Sequence, residues 1–175
     1  QKIINEETNY WNNVAKKAIE YGIPVWVDLK RARLEKKIIP PYIKILQYDS
    51  YYHNLVRENM RIIEQINSKN GKVLDVVCGA GWISVLLAEK GFKVSGFDIS
   101  EAMIEIARNH ARKVSKDLKC FPEYKVMDLN FPSLEENVYD YVTAFDGLHH
   151  ILNIDNLLKE IRKALKHNGK FIVYD

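Results

Sequence analysis

Short apolar runs alternate with amphipathic stretches along the second half of the chain. The run Val73–Val77 is mostly β-branched and apolar, which is typical of a parallel strand buried on both faces. Beyond it, apolar residues recur at the spacing of one helix face, at Ile83, Leu86 and Leu87. This spacing predicts a helix over Trp82–Lys90 that ends at Gly91, followed by a second strand over Phe92–Phe97.

The same alternation continues to the end of the sequence. Ser100 and Glu101 precede an apolar stripe, which predicts a capped helix with Met103, Ile104, Ala107 and Ala111 buried. Further strands are predicted at Glu123–Met127, Tyr139–Phe145 and Phe171–Tyr174. An amphipathic helix is predicted over Asp155–His167, with Ile154, Leu157, Leu158, Ile161 and Leu165 on its buried side. We therefore predict an α/β fold with a mostly parallel sheet and helices on both faces.

Residues 1–70 have a different pattern, which predicts an N-terminal α-helical extension ahead of a core at 71–175. Helices are predicted over Glu6–Tyr21, over 28–38 and from Ser50 to about Asn67. The extension is rich in aromatic residues, which favours packing but leaves ligand contact open. Within it, Tyr48–His53 is a candidate lid over a ligand.

Glycines and carboxylates are concentrated where the first two predicted strands end. Gly79 and Gly81 follow the first strand, and Asp98 follows the second. A helix that begins after a glycine turn presents N–H groups to a ligand, and a carboxylate at the next strand end can hold both ribose hydroxyls. Asp75 lies within the first strand, where a carboxylate repels a pyrophosphate but suits a positively charged ligand.

The stretch Asp75–Gly81 reads Asp-Val-Val-Cys-Gly-Ala-Gly and resembles the first motif of the class I S-adenosylmethionine-dependent methyltransferases. That motif usually runs Asp-x-Gly-x-Gly-x-Gly, and the family's second strand ends in an acid, as Asp98 does here. The resemblance implies a Rossmann-like fold and S-adenosyl-L-methionine as cofactor. Val77 replaces the first of the usual glycines, so its branched side chain is expected to crowd the methionine part of the cofactor.

The resemblance also implies roles for individual residues. Asp75 is expected to orient the methionine ammonium, Asp98 to hold the ribose, and Asp128 to meet the adenine amino group beside Leu129. The full set of expected cofactor-binding residues is Asp75, Val77, Cys78, Gly79, Gly81, Asp98, Ile99, Met127, Asp128, Leu129, Ala144 and Phe145. His149 and His150 are candidates for accepting a proton in catalysis. No metal site is predicted, because adjacent residues on a helix or strand do not share a face.

Composition and charge bear on the binding partners and the cellular location of the protein. The 175 residues carry a net charge of +3, with a basic group in the extension at Lys30, Arg31, Arg33, Lys36 and Lys37. That group is either a solvated helix face or a phosphate or nucleic-acid contact. No transmembrane stretch or signal peptide is recognisable, so no membrane partner is predicted. Cys78 and Cys120 are far apart in the sequence and lack metal-ligand spacing, which favours a reducing cytoplasmic location.

The predicted function is methyl transfer from S-adenosylmethionine to an O, N or C nucleophile of a small molecule. A non-catalytic cofactor-binding or interaction module is the alternative, because of Val77. A nucleic-acid methyltransferase has only the basic group in its favour, and an NAD-dependent oxidoreductase is disfavoured by Asp75. Family members usually carry two more strands after the fifth, so the chain is expected to be part of a longer fold. The oligomeric state is left open.

Overall fold

The computed structural model describes residues 2–21, 61–66, 70–116 and 118–175. The chain divides into two compact units, 1–66 and 67–175. In the first unit, helix α1 spans Lys2–Tyr21 and so begins four residues before the predicted start, and residues 61–64 are also helical. The predicted helix over 28–38, the candidate lid Tyr48–His53 and most of the helix predicted from Ser50 lie outside the described residues. No helix in the described ranges is both long enough and apolar enough to cross a membrane.

The second unit is built on a five-stranded sheet in the order β3-β2-β1-β4-β5, with every neighbouring pair parallel. The strands are β1 (Lys72–Val76), β2 (Lys93–Asp98), β3 (Glu123–Val126), β4 (Tyr139–Phe145) and β5 (Leu165–Tyr174). Because parallel strands all end at the same edge, the residues that follow β1, β2, β3 and β4 are brought to one side of the molecule.

Helices cover both faces of this sheet. They are α2 (Trp82–Lys90), α3 (Glu101–Lys113), a 3₁₀ turn at Leu148–His150, and α4 (Ile154–Ala164). Alternate residues of β1 point to opposite faces. Leu74 and Val76 pack in a cluster with Leu157 and Ile161 of α4, whereas Asp75 is hydrogen-bonded to α2. The predicted α/β architecture is therefore confirmed.

The boundary between α4 and β5 differs from the prediction. The helix ends at Ala164 rather than His167, and β5 begins at Leu165, which pairs with Tyr139 at the start of β4. The N–H groups of Asn137 and Val138 donate to the carbonyls of Lys163 and Ala164. These carbonyls at the helix end therefore accept hydrogen bonds from a segment that is distant in the sequence, so the helix ends where the sheet begins.

Burial around the helices also corrects two predictions. α2 buries Ile83, Ser84, Val85, Leu87 and Ala88 but only partly buries Leu86, so it is enclosed on more than the single face predicted. Leu158 of α4, predicted to be buried, is 41% exposed. The cap of α3 is confirmed, since the Ser100 hydroxyl accepts a hydrogen bond from the Met103 N–H at 3.1 Å.

Candidate functional site

The turn between β1 and α2 holds three residues in the left-handed region: Val77 (φ 51°), Gly79 (φ 49°) and Gly81 (φ 76°). The two glycines serve different purposes. A Cβ on Gly81 would lie 2.6 Å from the Tyr124 hydroxyl and 2.8 Å from Cβ of Ala107, whereas a Cβ on Gly79 would meet nothing within 4 Å. Gly81 therefore allows the helix to pack closely, and Gly79 leaves open space at the turn for a ligand.

Asp98, at the end of β2, lies directly against this turn. One carboxylate oxygen accepts the Gly79 N–H at 2.9 Å, and the other accepts the Ser100 N–H at 2.9 Å. Burial raises the pKa of Asp98 above its ordinary value, against the opposing effects of these two N–H groups and of His150. The structure thus brings Gly79 and Asp98 together, and Asp98 ties the glycine turn to the start of α3.

Asp75 lies beneath the turn, within the protein. Its side chain is 1% exposed, and its two oxygens accept hydrogen bonds from the Ser84 hydroxyl at 2.6 Å and the Thr143 hydroxyl at 3.0 Å. The Ser84 backbone N–H also donates to it, so Asp75 caps the first turn of α2 and links β1 to β4. Burial raises the pKa of Asp75 to about 6, although the Ser84 and Thr143 hydroxyls lower it. Its contact with a ligand ammonium stays a prediction, and its two hydroxyl partners were missed from the sequence.

Val77 fills the gap between the ends of β1 and β4. A branched residue in the left-handed region is unusual and is strained by about 1–2 kcal/mol. A Cβ added to Gly147 would lie 2.8 Å from Val77 Cγ2 and 2.9 Å from Val77 Cβ. The valine that replaces the family's usual glycine therefore packs tightly on the backbone that follows β4.

This contact predicts that Gly147→Ala destabilises the protein by about 1–3 kcal/mol, because the added methyl overlaps Val77. Gly147 has φ −162° and ψ −10°, outside the left-handed region that favours glycine, so the clash rather than a positive φ supplies the main cost. In a Val77→Gly background the same substitution is expected to cost less than about 0.5 kcal/mol. Urea denaturation of the four proteins of the cycle measures both costs, and equal costs in the two backgrounds would disprove the contact.

The expected adenine-side residues follow β3. The Met127 N–H donates to the Asp98 carbonyl at 2.8 Å, which places this segment beside Asp98, and Ile99 lies partly buried between Asp98 and Ser100. The Asp128 carboxylate accepts the N–H and the side-chain amide of Asn130, both at 2.9 Å. Leu129 is 2% exposed and belongs to the core, so its side chain packs inward.

Asn130 organises the rim of this edge and was missed from the sequence. Its side-chain oxygen accepts the N–H groups of Leu152 and Asn153 at 2.8 and 3.0 Å. Asn130 is only 5% exposed, and it links the loop after β3 to the loop before α4. This link between two loops has no local sequence signal, because the partners of the side-chain oxygen lie more than twenty residues away.

The segment after β4 carries the candidate histidines. Ala144 and Phe145 are buried at the end of the strand, and the rings of His149 and His150 lie 4.1 Å apart in the 3₁₀ turn. The two rings are therefore neighbours in this turn, although adjacent residues on a helix or strand do not share a face. Asp175, after β5, also reaches the turn, and ligand atoms of Asp146, His149 and Asp175 lie within 4.8 Å of one another. The sequence did not reveal this exposed group, since Asp175 is 26 residues from His149.

The edge as a whole is acidic and is lined by backbone N–H groups. Burial raises the pKa of the Cys78 thiol, and the nearby Asp98 and Asp75 raise it further, so Cys78 is a neutral thiol at pH 7. An open glycine turn beside a partly buried carboxylate suits a ribose-bearing ligand that carries positive charge. A sulfonium nucleoside therefore fits the residues present.

Comparisons with known proteins agree with this geometry. The chain is 32% identical to a ubiquinone biosynthesis O-methyltransferase of Coxiella burnetii over 109 residues, which are 62% of this chain and 45% of that protein. The PH0226 protein of Pyrococcus horikoshii has a similar structure, with a TM-score of 0.64, 36% identity, and coverage of 78% of this chain and 62% of that one.

A second solved structure is phosphoethanolamine N-methyltransferase 2 of Haemonchus contortus in complex with phosphomonomethylethanolamine and S-adenosylhomocysteine. The similarity has a TM-score of 0.60 and 28% identity, and covers 67% of this chain and 27% of that one. The chain thus spans about half the length, or less, of the named methyltransferases that it matches. The family model described as "Methyltransferase domain" matches residues 74–173. Because this match covers more than half of the chain, the chain belongs to the methyltransferase domain family.

Proposed function

We propose that the protein transfers the methyl group of S-adenosyl-L-methionine to an O, N or C nucleophile of a small molecule. The observation that carries this proposal is the Asp98 carboxylate held against the open Gly79 turn. Family membership supports it, as does the S-adenosylhomocysteine in the Haemonchus contortus structure. The Coxiella burnetii relative is an O-methyltransferase of ubiquinone biosynthesis, which favours a small-molecule acceptor.

Each residue at the edge has a role under this proposal. Asp98 would hold the ribose hydroxyls, since a carboxylate offers about four acceptor sites and the N–H groups of Gly79, Ile99 and Ser100 do not occupy all of them. Gly79 would allow the ligand to approach the backbone, and Asp128 would meet the adenine. The bound cofactor supplies an electrophilic methyl group on a sulfonium. The protein's part is to align the acceptor with this methyl group and to exclude water.

Two further parts of the proposal concern the cellular location and the domain organisation of the protein. Cys78 and Cys120 are both free thiols, which supports a reducing cytoplasmic location. Residues 1–70 would form the N-terminal extension, with Tyr48–His53 as the candidate lid, and 71–175 would form the cofactor-binding core. Substitution of both Tyr51 and Tyr52 by alanine tests the lid, which is disproved if cofactor and acceptor binding are unchanged.

Calorimetric titration with S-adenosylmethionine and S-adenosylhomocysteine tests the proposed function, with NAD as the control ligand. Binding of either sulfur ligand in the micromolar range is expected. Asp98→Ala is expected to weaken it about 30-fold, the loss of about 2 kcal/mol that accompanies removal of a charged hydrogen-bond acceptor. Asp140→Ala is the matched control, because Asp140 accepts a backbone N–H at the opposite edge of the sheet. Equal affinities in the two variants would contradict the assignment of Asp98.

A non-catalytic module is the second candidate, and the strained Val77 packed on Gly147 is the observation that favours it. Binding of S-adenosylhomocysteine without methyl transfer to any acceptor would support such a module. If the natural chain does not bind that ligand and Val77→Gly restores binding, Val77 disables the pocket; if glycine restores nothing, a different function becomes the leading account.

A further inference from the structure

The carboxylate of Asp175 organises the turn that follows β4. One of its oxygens accepts the N–H groups of Gly147 and Leu148 at 2.7 and 3.0 Å, and the other accepts the His149 N–H at 3.1 Å. Burial raises the pKa of Asp175, but hydrogen bonds from the His149 ring and from these N–H groups outweigh burial, so the pKa lies below its ordinary value. Asp175 is therefore ionised at neutral pH.

The same carboxylate contacts the imidazole of His149. Nδ1 of His149 lies 3.1 Å from the Asp175 oxygen that also accepts the Gly147 N–H. An ionised carboxylate can only accept, so Nδ1 carries the proton and Nε2 becomes the basic nitrogen of the neutral ring. The His149 side chain is 53% exposed, which leaves the imidazole accessible to a small molecule.

This pair lies beside the candidate cofactor site. The turn begins at Gly147, which packs on Val77 of the glycine turn, and the neighbouring His150 acts electrostatically on Asp98. β4 is also paired directly with β1 in the sheet. An acceptor placed next to a methyl donor bound at β1 and β2 would thus meet the segment that carries His149.

We propose that His149 is the catalytic base for a hydroxyl acceptor and that Asp175 is the residue that positions it. The inference rests on the proposed function. In the transfer, the acceptor oxygen forms a bond to the methyl carbon as the bond from that carbon to sulfur breaks, and sulfur keeps the electron pair. The hydroxyl proton passes to Nε2 of His149, and the positive charge of the donor ends on the imidazolium beside Asp175. A hydroxyl acceptor fits such a base, because its proton must be removed as the methyl group is transferred.

Other titratable groups lie near His149. A carboxylate oxygen of Asp146 lies within 4.8 Å of the ligand atoms of His149 and Asp175, and the ring of His150 lies 4.1 Å from that of His149. Because Asp146, His149 and Asp175 could also hold a cation, the experiment includes a chelator.

The structural half of the proposal is tested without a ligand, by ¹⁵N NMR of the imidazoles in the full chain, with His149→Gln to assign the signals. The neutral ring of His149 is expected to carry its proton on Nδ1 in the wild type and in Asp175→Asn, whose amide oxygen still accepts. In Asp175→Ala the proton is expected to move to Nε2. A wild-type ring protonated on Nε2 would overturn the proposal.

The catalytic half is tested by methyl transfer to catechol as the hydroxyl probe. His149→Gln is expected to lower kcat at least about 100-fold while leaving the affinity for S-adenosylhomocysteine unchanged. His167→Gln is the control, because His167 is an exposed histidine near the start of β4, at the opposite edge. Transfer that survives in His149→Gln would overturn the proposal, as would transfer that EDTA abolishes and Mg²⁺ restores. A wild type that binds S-adenosylhomocysteine but does not methylate catechol would also overturn the proposal.

Failure of the wild type to bind S-adenosylhomocysteine would instead refute the proposed function. The NMR result would still decide the pairing of His149 with Asp175.

Discussion

Gly81→Ala is expected to lower the free energy of unfolding by about 2–5 kcal/mol, the combined cost of left-handed strain and overpacking. Gly81 has φ 76°, and the new methyl would lie 2.6 Å from the Tyr124 hydroxyl and 2.8 Å from the Ala107 methyl. Neither neighbour can move freely, since Ala107 is fully buried in α3 and Tyr124 is buried in β3. Guanidinium denaturation of the full chain measures the loss.

Gly79→Ala is the matched control for this prediction. Gly79 also has a positive φ, but an added Cβ would meet nothing within 4 Å, so only the strain of about 1–2 kcal/mol is expected. Its effect on ligand binding should be the larger of the two, because the methyl would occupy the open space at the turn. Tyr124→Phe in the Gly81→Ala background should recover part of the lost stability by removing the hydroxyl. Equal losses in Gly79→Ala and Gly81→Ala would show that the Tyr124 contact is not tight.

Asp75→Asn is expected to change how stability depends on pH. The pKa of Asp75 is about 6 in the folded protein, against an ordinary value of 3.8. Between these values the folded state keeps a proton that the unfolded chain has released. The contribution of Asp75 to stability is therefore fully present below about pH 4 and is lost as the pH rises through about 6. The total loss is about 3 kcal/mol, from two pKa units at about 1.4 kcal/mol each.

The measurement is the free energy of unfolding of wild type and Asp75→Asn at pH values from 4 to 7.5. The wild type should lose about 2.5 kcal/mol of this total relative to Asp75→Asn across this range, because asparagine does not titrate. Thr143→Ser, which keeps the hydroxyl, should follow the wild type. Parallel pH curves for wild type and Asp75→Asn would mean that the folded Asp75 titrates at its ordinary pKa.

Elements with a strong local pattern were predicted well from the sequence. Both α2 and β4 have the predicted bounds, Trp82–Lys90 and Tyr139–Phe145, and the Ser100 cap is present. In each case the decisive residues lie within one helical turn or one strand of each other. The signals used here are apolar periodicity, a glycine stop and a capping hydroxyl, and all of them act over such short distances. Residues close in the sequence are therefore enough to specify these elements.

The candidate site was predicted only as a location. Parallel strands bring their carboxyl ends together, so the proximity of Gly79 and Asp98 followed from strand order. The partners of the individual side chains did not follow. Asp75 accepts hydrogen bonds from the Ser84 and Thr143 hydroxyls under the turn, and the sequence does not reveal these partners. No role was predicted for Asp175, whose carboxylate accepts hydrogen bonds from the turn after β4 and contacts the ring of His149.

By itself the sequence determined the α/β order, the parallel sheet, the glycine turn and the acid that follows β2. These features depend on residue type and on spacing along a few residues. Only the tertiary structure decided the end of α4 at Ala164, the burial of Asp75 and the contact of Asp175 with His149. The physical reason is distance along the chain. Thr143 is 68 residues from Asp75, and Asp175 is 26 from His149. These partners meet only because the strand order places β4 between β1 and β5.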